Sequence, residues 1–319
     1  MFQALLALLV LRAASAGLAP LKELNDGNKM PMLALGTHNM TGSSAFKAVV
    51  SAIEAGYRHI DTAVLYENEP NIGEAVADVI KRGLVKREDL FITTKLWNDK
   101  HSHEDVVPAL REALQRLKMD YVDLYLIHFP IGEKGNDKLS DIDYLETWKG
   151  MEDAKKLNLT KSIGVSNFNS EQVGRIIANS NIKPAVNQIE VNPTLTQDVL
   201  VAYCQKQGIV VMAHSPFGFM VYRETLDSPP PKANDPVLTK IANKYGKTTF
   251  QVVLRYLFER GTAPVPKSAD KQRQAENINI FDFKLTEEEI ADISKFNKNV
   301  RVISGIYWLD HPFYPFDKD

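Results

Sequence analysis

From residue 32 to residue 268 the chain alternates between short, almost unbroken apolar runs and stretches with helical spacing. The runs cover residues 32–37, 59–63, 90–96, 122–128, 162–167, 185–191, 209–215 and 263–268. Near-continuous apolar character of this length suits strands buried on both faces, as in a parallel sheet. Between them, Ile72, Val76 and Ile80 recur every four residues, and Val106, Leu110, Leu114 and Leu117 follow the same helical stripe. Further helices are expected over residues 195–206 and 248–259, and a terminal one opens on Thr286 and Glu289 as a capping box. Eight strands each followed by helical sequence predict a (β/α)8 (TIM) barrel. A doubly wound sheet is the alternative, but no G-x-G-x-x-G follows any strand. Residues 21–30, with Asn25-Asp26-Gly27-Asn28 as the turn, predict a small hairpin ahead of the first barrel strand.

Composition narrows the classes. In 319 residues, Lys plus Arg is 38 and Asp plus Glu is 40, for a net charge of −2. Such a balance argues against nucleic acid as a partner, which needs a concentrated basic face. The one cysteine, Cys204, excludes an intrachain disulfide framework and a Cys-rich zinc site. No segment reaches the roughly 20 apolar residues that span a bilayer.

The start of the chain reads differently. An apolar run over residues 4–11 is followed by Arg12 and then Ala14-Ser15-Ala16, a small-x-small cleavage pattern. Residues 1–16 are therefore expected to be a signal peptide, and residues 17–319 a single barrel domain that is secreted. The alternative is an extra N-terminal helix on a cytoplasmic protein. Secretion gives meaning to the sequons Asn39-Met40-Thr41 and Asn158-Leu159-Thr160, whereas Asn192-Pro193-Thr194 is excluded by its proline.

Chemistry collects at the strand ends. Asp61, Lys95, His128, Ser166-Asn167, Gln188, His214 and Lys267 lie near the C-terminal ends of seven successive predicted strands. In a barrel those ends share the face that carries catalysis. Individually the residues are bland: Tyr66 would more often be a loop aromatic, His128 a core histidine, and Asp61 with Lys95 a structural ion pair. Seven strands ending alike is not explained that way. His101-Ser102-His103 looks like a metal pair but lacks further ligands nearby, so a solvated loop is expected and no metal. Gly164-Val165-Ser166-Asn167-Phe168 lacks the second glycine of a nucleophile elbow, which excludes acyl transfer.

Gly56-Tyr57-Arg58-His59-Ile60-Asp61-Thr62-Ala63 followed by Tyr66-Glu67-Asn68-Glu69 resembles the signature of the aldo-keto reductase family. Leu126-Ile127-His128, Gly164-Val165-Ser166-Asn167-Phe168 and Val265-Pro266-Lys267-Ser268 match its other motifs in order, from about Leu21 to Phe316. The resemblance implies a barrel with a C-terminal substrate loop, an NADPH/NADP+ cofactor and reduction of carbonyls to alcohols. It assigns catalysis to Asp61, Tyr66, Lys95 and His128. Hydride delivery to a carbonyl carbon leaves alkoxide character on oxygen, so an acid must stand there. A free Tyr, with a pKa of about 10, is a reluctant acid until an ammonium stabilises its phenolate, and a carboxylate keeps that ammonium charged.

By the same carry-over, Gly36, Thr37, His38 and Asp61 line the cofactor's inner end, and Ser166, Asn167 and Gln188 hold the nicotinamide carboxamide. Ser215, Phe217 and the segment up to Asn234 fold over the pyrophosphate. Lys267, Ser268 and Arg273 surround the 2′-phosphate, and Glu276 and Asn277 the adenine. The substrate pocket is assigned to His38, Trp97, His128 and Phe129. The chain departs from the pattern at His214, where a Tyr usually stacks on the nicotinamide, and at His38 and Phe129, where tryptophans are common. Stacking by His214 would make mild acid, near a free imidazole's ~6.5, select against the oxidised cofactor. Asp270 stands close to the expected phosphate site, and residues 131–139 are shorter than the family's substrate loop. An opened pocket and a leader most resemble the secreted insect 3-dehydroecdysone reductases, which reduce a steroid ketone. A broad aldehyde reductase and a non-catalytic, crystallin-like barrel are the alternatives. The expected protein is a monomer acting on a small carbonyl compound, with neither nucleic acid nor membrane as partner.

Overall fold

The apolar runs form strands where the pattern puts them. The computed structural model describes residues 18–134, 138–221 and 228–316; the expected leader over residues 1–16 lies outside them. A hairpin of β1 (Leu21–Glu23) and β2 (Lys29–Pro31) pairs antiparallel. Then come β3 (Leu35–Gly36), β4 (His59–Asp61), β5 (Phe91–Leu96) and β6 (Val122–Ile127). After a small antiparallel hairpin of β7 (Gly132–Lys134) and β8 (Lys138–Ser140) follow β9 (Thr160–Ser166), β10 (Val186–Glu190), β11 (Val210–His214) and β12 (Thr262–Pro264). The eight strands outside the two hairpins pair in parallel, each with its neighbour in sequence. Around them run α1 (Gly42–Glu54), α2 (Glu69–Lys81), α3 (His103–Leu117), α4 (Tyr144–Lys156), α5 (Ser170–Asn179) and α6 (Asp198–Lys206). The series ends with α7 (Pro236–Tyr245), α8 (Thr249–Glu259), α9 (Lys271–Ile278) and α10 (Glu287–Ser294).

The sheet closes through prolines. Ala34 N–H donates to Pro264 O at 3.1 Å and Gly36 N–H to Pro266 O at 2.9 Å, with Gly36 bridging Lys267. Proline has no N–H to give, so this part of the seam uses its carbonyls alone. It also explains why β12 is short.

The apolar core has three parts. At the bottom, Leu24, Met30 and Met32 from the hairpin region plug an interior made of Leu124, Leu126, Val186, Met212 and Val265. The larger core lies between strands and helices and includes Tyr125, Trp148 and Ile163. At the mouth a small cluster joins Phe129, Ile131 and Phe316 to Trp97 and Trp308. Close approach inside the barrel requires Gly164, because a Cβ there would sit 2.5 Å from Val186 O and 2.8 Å from Leu126 Cδ2.

The capping box at Thr286 and Glu289 is present, as are boxes at Thr248 and Gln251 and at Asn169 and Gln172. Boundaries move at three places: the runs over 32–37 and 263–268 form strands only over Leu35–Gly36 and Thr262–Pro264, and α6 starts at Asp198 rather than near 195. Asn192 Oδ1 collects Thr194 N–H and Leu195 N–H, and Gln197 takes a left-handed φ of 48°, which stops a helix from starting earlier. The segment read only as a shortened loop over residues 131–139 carries two paired strands, Gly132–Lys134 and Lys138–Ser140.

Two buried histidines outside the site make this fold sensitive to acid. His59 Nδ1 donates to Pro31 O (3.1 Å) and its Nε2 accepts from Thr93 Oγ1 (2.9 Å), and burial holds its pKa down to about 4. His101 has no ring-nitrogen partner among the described residues; burial, then His311, holds it down to about 3. The unfolded chain protonates these rings below ~6.5 while the folded chain does not, so stability is lost as pH falls from ~6.5 toward those values. Each ring should contribute a slope of about 1.4 kcal/mol per pH unit. Urea midpoints at pH 7.5 and 5 should show the loss, and His101→Phe should reduce it.

Candidate active site

β4 ends on Asp61 and, after a tight turn over Val64–Tyr66, delivers Tyr66, while β5 carries Lys95 in its penultimate position. Lys95 Nζ donates to Asp61 Oδ1 at 2.6 Å and to Thr62 O at 2.9 Å, and lies 3.5 Å from Tyr66 Oη. Asp61 Oδ2 accepts Gln188 Nε2 at 2.7 Å, so both carboxylate oxygens are held. Burial opposes charge on the Lys95 ammonium most strongly, but Asp61 and Tyr66 together outweigh it and raise its pKa. A permanent cation therefore sits beside a phenol at the barrel mouth, which is the arrangement that makes a Tyr acidic.

His128 follows β6 and keeps its backbone in the ladder through Leu96 O (3.1 Å). Its ring lies edge-on to Tyr66 at 5.9 Å and to Trp97 at 5.1 Å, and stacks on Phe129 at 5.4 Å. Burial, followed by Lys95, His214 and His38, puts its pKa well below the ordinary histidine value. His38, edge-on to Tyr66 at 5.0 Å, is lowered by burial and by Lys95 and Lys267. The imidazoles here are neutral.

Left-handed residues shape the next two strand ends. Asn167 (φ 62°) follows β9 and Ser215 (φ 49°) follows β11. Non-glycine residues in this region carry strain and gather at functional sites. Ser166 Oγ donates to Gln188 O (2.7 Å), and Asn167 Nδ2 to His128 O (3.0 Å). His214 Nε2 lies 3.0 Å from Asn167 Oδ1, and Nδ1 3.1 Å from Ser215 Oγ. One donor and one acceptor satisfy a neutral ring, and burial, then Lys95, pushes its pKa down to about 3. The expected titration of His214 in mild acid is thereby corrected: the group stays neutral far below pH 5.5.

Apart from Lys95, which reaches it through Asp61 and Tyr66, and Trp97, which packs in the aromatic cluster at the mouth, these side chains line one cavity of about 190 Å³, together with Gly36, Thr37, Phe129 and Lys267. A groove of about 720 Å³ continues from it, sharing Val265 and Lys267 and lined by Phe217, Ser268, Arg273, Glu276 and Asn277. Among the described residues Lys267 and Arg273 make no ion pair, so two cations face the groove uncompensated. Asp270 does not neutralise them by pairing: its Oδ1 caps α9 by accepting Arg273 N–H at 2.9 Å. A phosphorylated dinucleotide fits this donor set, with its phosphate on Lys267, Ser268 and Arg273. The solvated loop expected at His101 and His103 is not what forms: His101 is buried, and His103 opens α3 and pairs with Asp153 at 2.7 Å. No group of three metal-binding side chains occurs among the described residues.

Sequence reasoning missed Leu65, Val265 and Ile303, which complete the cavity wall, and Trp308, which packs 4.7 Å from Phe129 and 6.2 Å from Trp97. Trp308 Nε1 donates to Glu133 Oε1 on β7 at 2.7 Å. Leu65, Ile303 and Trp308 come from turns and loops without periodicity, where only the tryptophan was a visible signal, while Val265 stood in a predicted strand and a quoted motif without being singled out.

The fold and this site define a barrel oxidoreductase, and the comparisons agree. Residues 32–298 match the model of the Aldo/keto reductase family, and the chain belongs to that family. Aldo-keto reductase AKR2E4 of Bombyx mori is 57% identical over 303 residues, covering 93% of this chain and 98% of that protein. Its crystal structure in complex with NADP superposes with a TM-score of 0.91, covering 93% of this chain and 99% of that one. Aldo-keto reductase AKR2E5 complexed with NADPH gives a TM-score of 0.92 at 46% identity, over 94% of each chain. Aldo-keto reductase family 1 member D1 of Mus musculus is 43% identical over 92% of this chain and 95% of its own. The present chain is an NADP-dependent oxidoreductase.

Because His214 is neutral throughout mild acid, the NADP+/NADPH affinity ratio should be the same at pH 5.5 and 7.5. Dissociation constants for wild type and His214→Tyr at both values check this; a ratio that falls with pH in wild type alone would return a titrating ring to the site.

Proposed function

We propose that the chain reduces a ketone or aldehyde to the alcohol with NADPH, and that Asp61, Tyr66, Lys95 and His128 carry the reaction. The observation that carries this reading is Lys95 Nζ held 2.6 Å from Asp61 and 3.5 Å from Tyr66 Oη at the cavity lining. Bound NADPH supplies the hydride to the carbonyl carbon. Tyr66 gives its proton to the carbonyl oxygen, and Lys95 stabilises the phenolate left behind. Asp61 keeps Lys95 charged and aimed. His128 has Nδ1 buried and without a partner among the described residues, so its one proton belongs on Nε2, where it orients the carbonyl. Ser166, Asn167 and Gln188 place the nicotinamide end of the cofactor, and Lys267, Ser268 and Arg273 its 2′-phosphate.

The substrate we propose is a bulky apolar ketone of the steroid kind, such as a 3-dehydroecdysteroid. What supports it is the apolar rim: Leu65 and Ile303 line the cavity while 45% and 38% exposed, and Ile306, Tyr307 and Leu309 stand exposed on the same C-terminal segment. The same reading has the chain acting as a monomer. It is proposed to be secreted through a leader at residues 1–16 and to accept glycans at Asn158 and Asn39, both exposed turn residues with left-handed φ.

Loss of NADPH absorbance with a generic aldehyde, then with steroid ketones, tests the reading. Tyr66→Phe should keep NADPH affinity while turnover drops by roughly 10²-fold or more, since only the acid is lost. Near-wild-type turnover would remove Tyr66 from that role.

Replacing Lys267 or Arg273 by Ala should weaken NADPH by about 1.5–3 kcal/mol, the worth of a charge-assisted bond, and leave NADH nearly unchanged. Cofactor titrations giving equal losses for NADPH and NADH would move the 2′-phosphate elsewhere.

A further inference from the structure

Glu190 ends β10 and is 1% exposed, yet it takes no part in the Lys95 network. Three donors converge on it. Oε1 accepts Val302 N–H at 2.8 Å and Asn192 Nδ2 at 3.1 Å, and Oε2 accepts Ile303 N–H at 2.9 Å. Burying a carboxylate is costly unless such bonds compensate it, and an apolar residue would fill a strand end at less cost. The carboxylate is therefore explained by what it holds.

What it holds is the segment that runs from α10 to the cavity. Thr194 O accepts Lys298 N–H (3.1 Å) and Val300 N–H (3.2 Å), laying that segment along the β10–α6 loop. Glu190 is the next fixed point, and there Ile303 joins the wall of the catalytic cavity. Asn192, bonded to Glu190, also donates to Ser215 O at 3.3 Å beside His214. We infer that Glu190 is a positioning residue: its carboxylate pins the C-terminal segment at Val302 and Ile303 and so sets the cavity wall against which the carbonyl substrate rests. This rests on the carbonyl-reduction reading of the cavity.

Glu190→Gln keeps the side chain's size but turns an amide N–H₂ toward one of the two backbone N–H groups, breaking half of the pin. The Michaelis constant for a ketone or aldehyde accepted by wild type should rise roughly tenfold, as for loss of a bond to a charged group. The turnover number should change less, and the NADPH dissociation constant should not change. Ile303→Ala removes the wall itself, so the double variant should be no worse than Ile303→Ala alone. In wild type, the Val302 and Ile303 amides should exchange hydrogen far more slowly than those of Ser304 and Gly305, and Glu190→Gln should remove that protection from one of the two. Additive effects in the cycle, unprotected wild-type amides, or an equal loss of NADPH affinity would each overturn the inference while leaving the carbonyl reading intact. A wild type that consumes no NADPH with any carbonyl compound would end that reading and this inference with it.

Discussion

The site depends on one buried ion pair. Removing Lys95 and Asp61 from water is expensive, and their attraction repays it only with good geometry and with the remaining donors and acceptors satisfied. Both conditions hold: the pair is 2.6 Å apart, Thr62 O takes another ammonium proton, and Gln188 takes the other carboxylate oxygen. A hydrophobic pair would serve stability as well or better. The ammonium belongs here because it fixes a positive charge where water cannot screen it, beside the phenol of Tyr66. The three neighbouring imidazoles are kept neutral by burial first and by that charge second. His38, His128 and His214 all face Lys95 and all stay neutral, so the mouth holds a single strong internal cation among polar but uncharged rings.

How the site is built also follows from the barrel register. Asp61 pairs with Gly36 and Thr93, Lys95 with Leu126, and Gln188 with Ser166, so neighbouring strands bring each residue to the same height. The two cations of the groove come after the last strand, Lys267 from the loop that follows β12 and Arg273 from α9. One sheet therefore presents its acid-bearing end and its phosphate-facing end as a continuous surface, joined at Val265 and Lys267.

Much of this was legible in the sequence, for a physical reason. Strands buried on both faces must be almost wholly apolar, so a polar residue at a strand end stands out, and Asp61, Lys95, His128 and Gln188 were all found that way. Helix starts such as Thr286 were readable because caps are local chemistry. The less legible part lies where tertiary contact decides. His214 looked like an ordinary titrating ring until its surroundings were known. Asp270 looked like a charge near the phosphate site, but its carboxylate is a helix cap. Ile303 and Trp308 lie in a segment with no periodicity, and their places follow from Glu190 and Glu133, residues whose partners lie more than a hundred positions away.

The proline-rich seam has a consequence for how the molecule is made. β3 emerges from the ribosome early and finds β4 soon afterwards, but its other edge waits for carbonyls of Pro264 and Pro266, near the end of synthesis. Until then the growing sheet carries an open edge, the kind of surface on which chains pair with one another. Closing it joins distant segments, which is slow relative to local pairing. The same last step brings Lys267 to Gly36, so the phosphate-facing end of the cofactor groove comes into being only when the barrel shuts. A nascent chain thus has no complete cofactor site to fill before its sheet has lost its exposed edge.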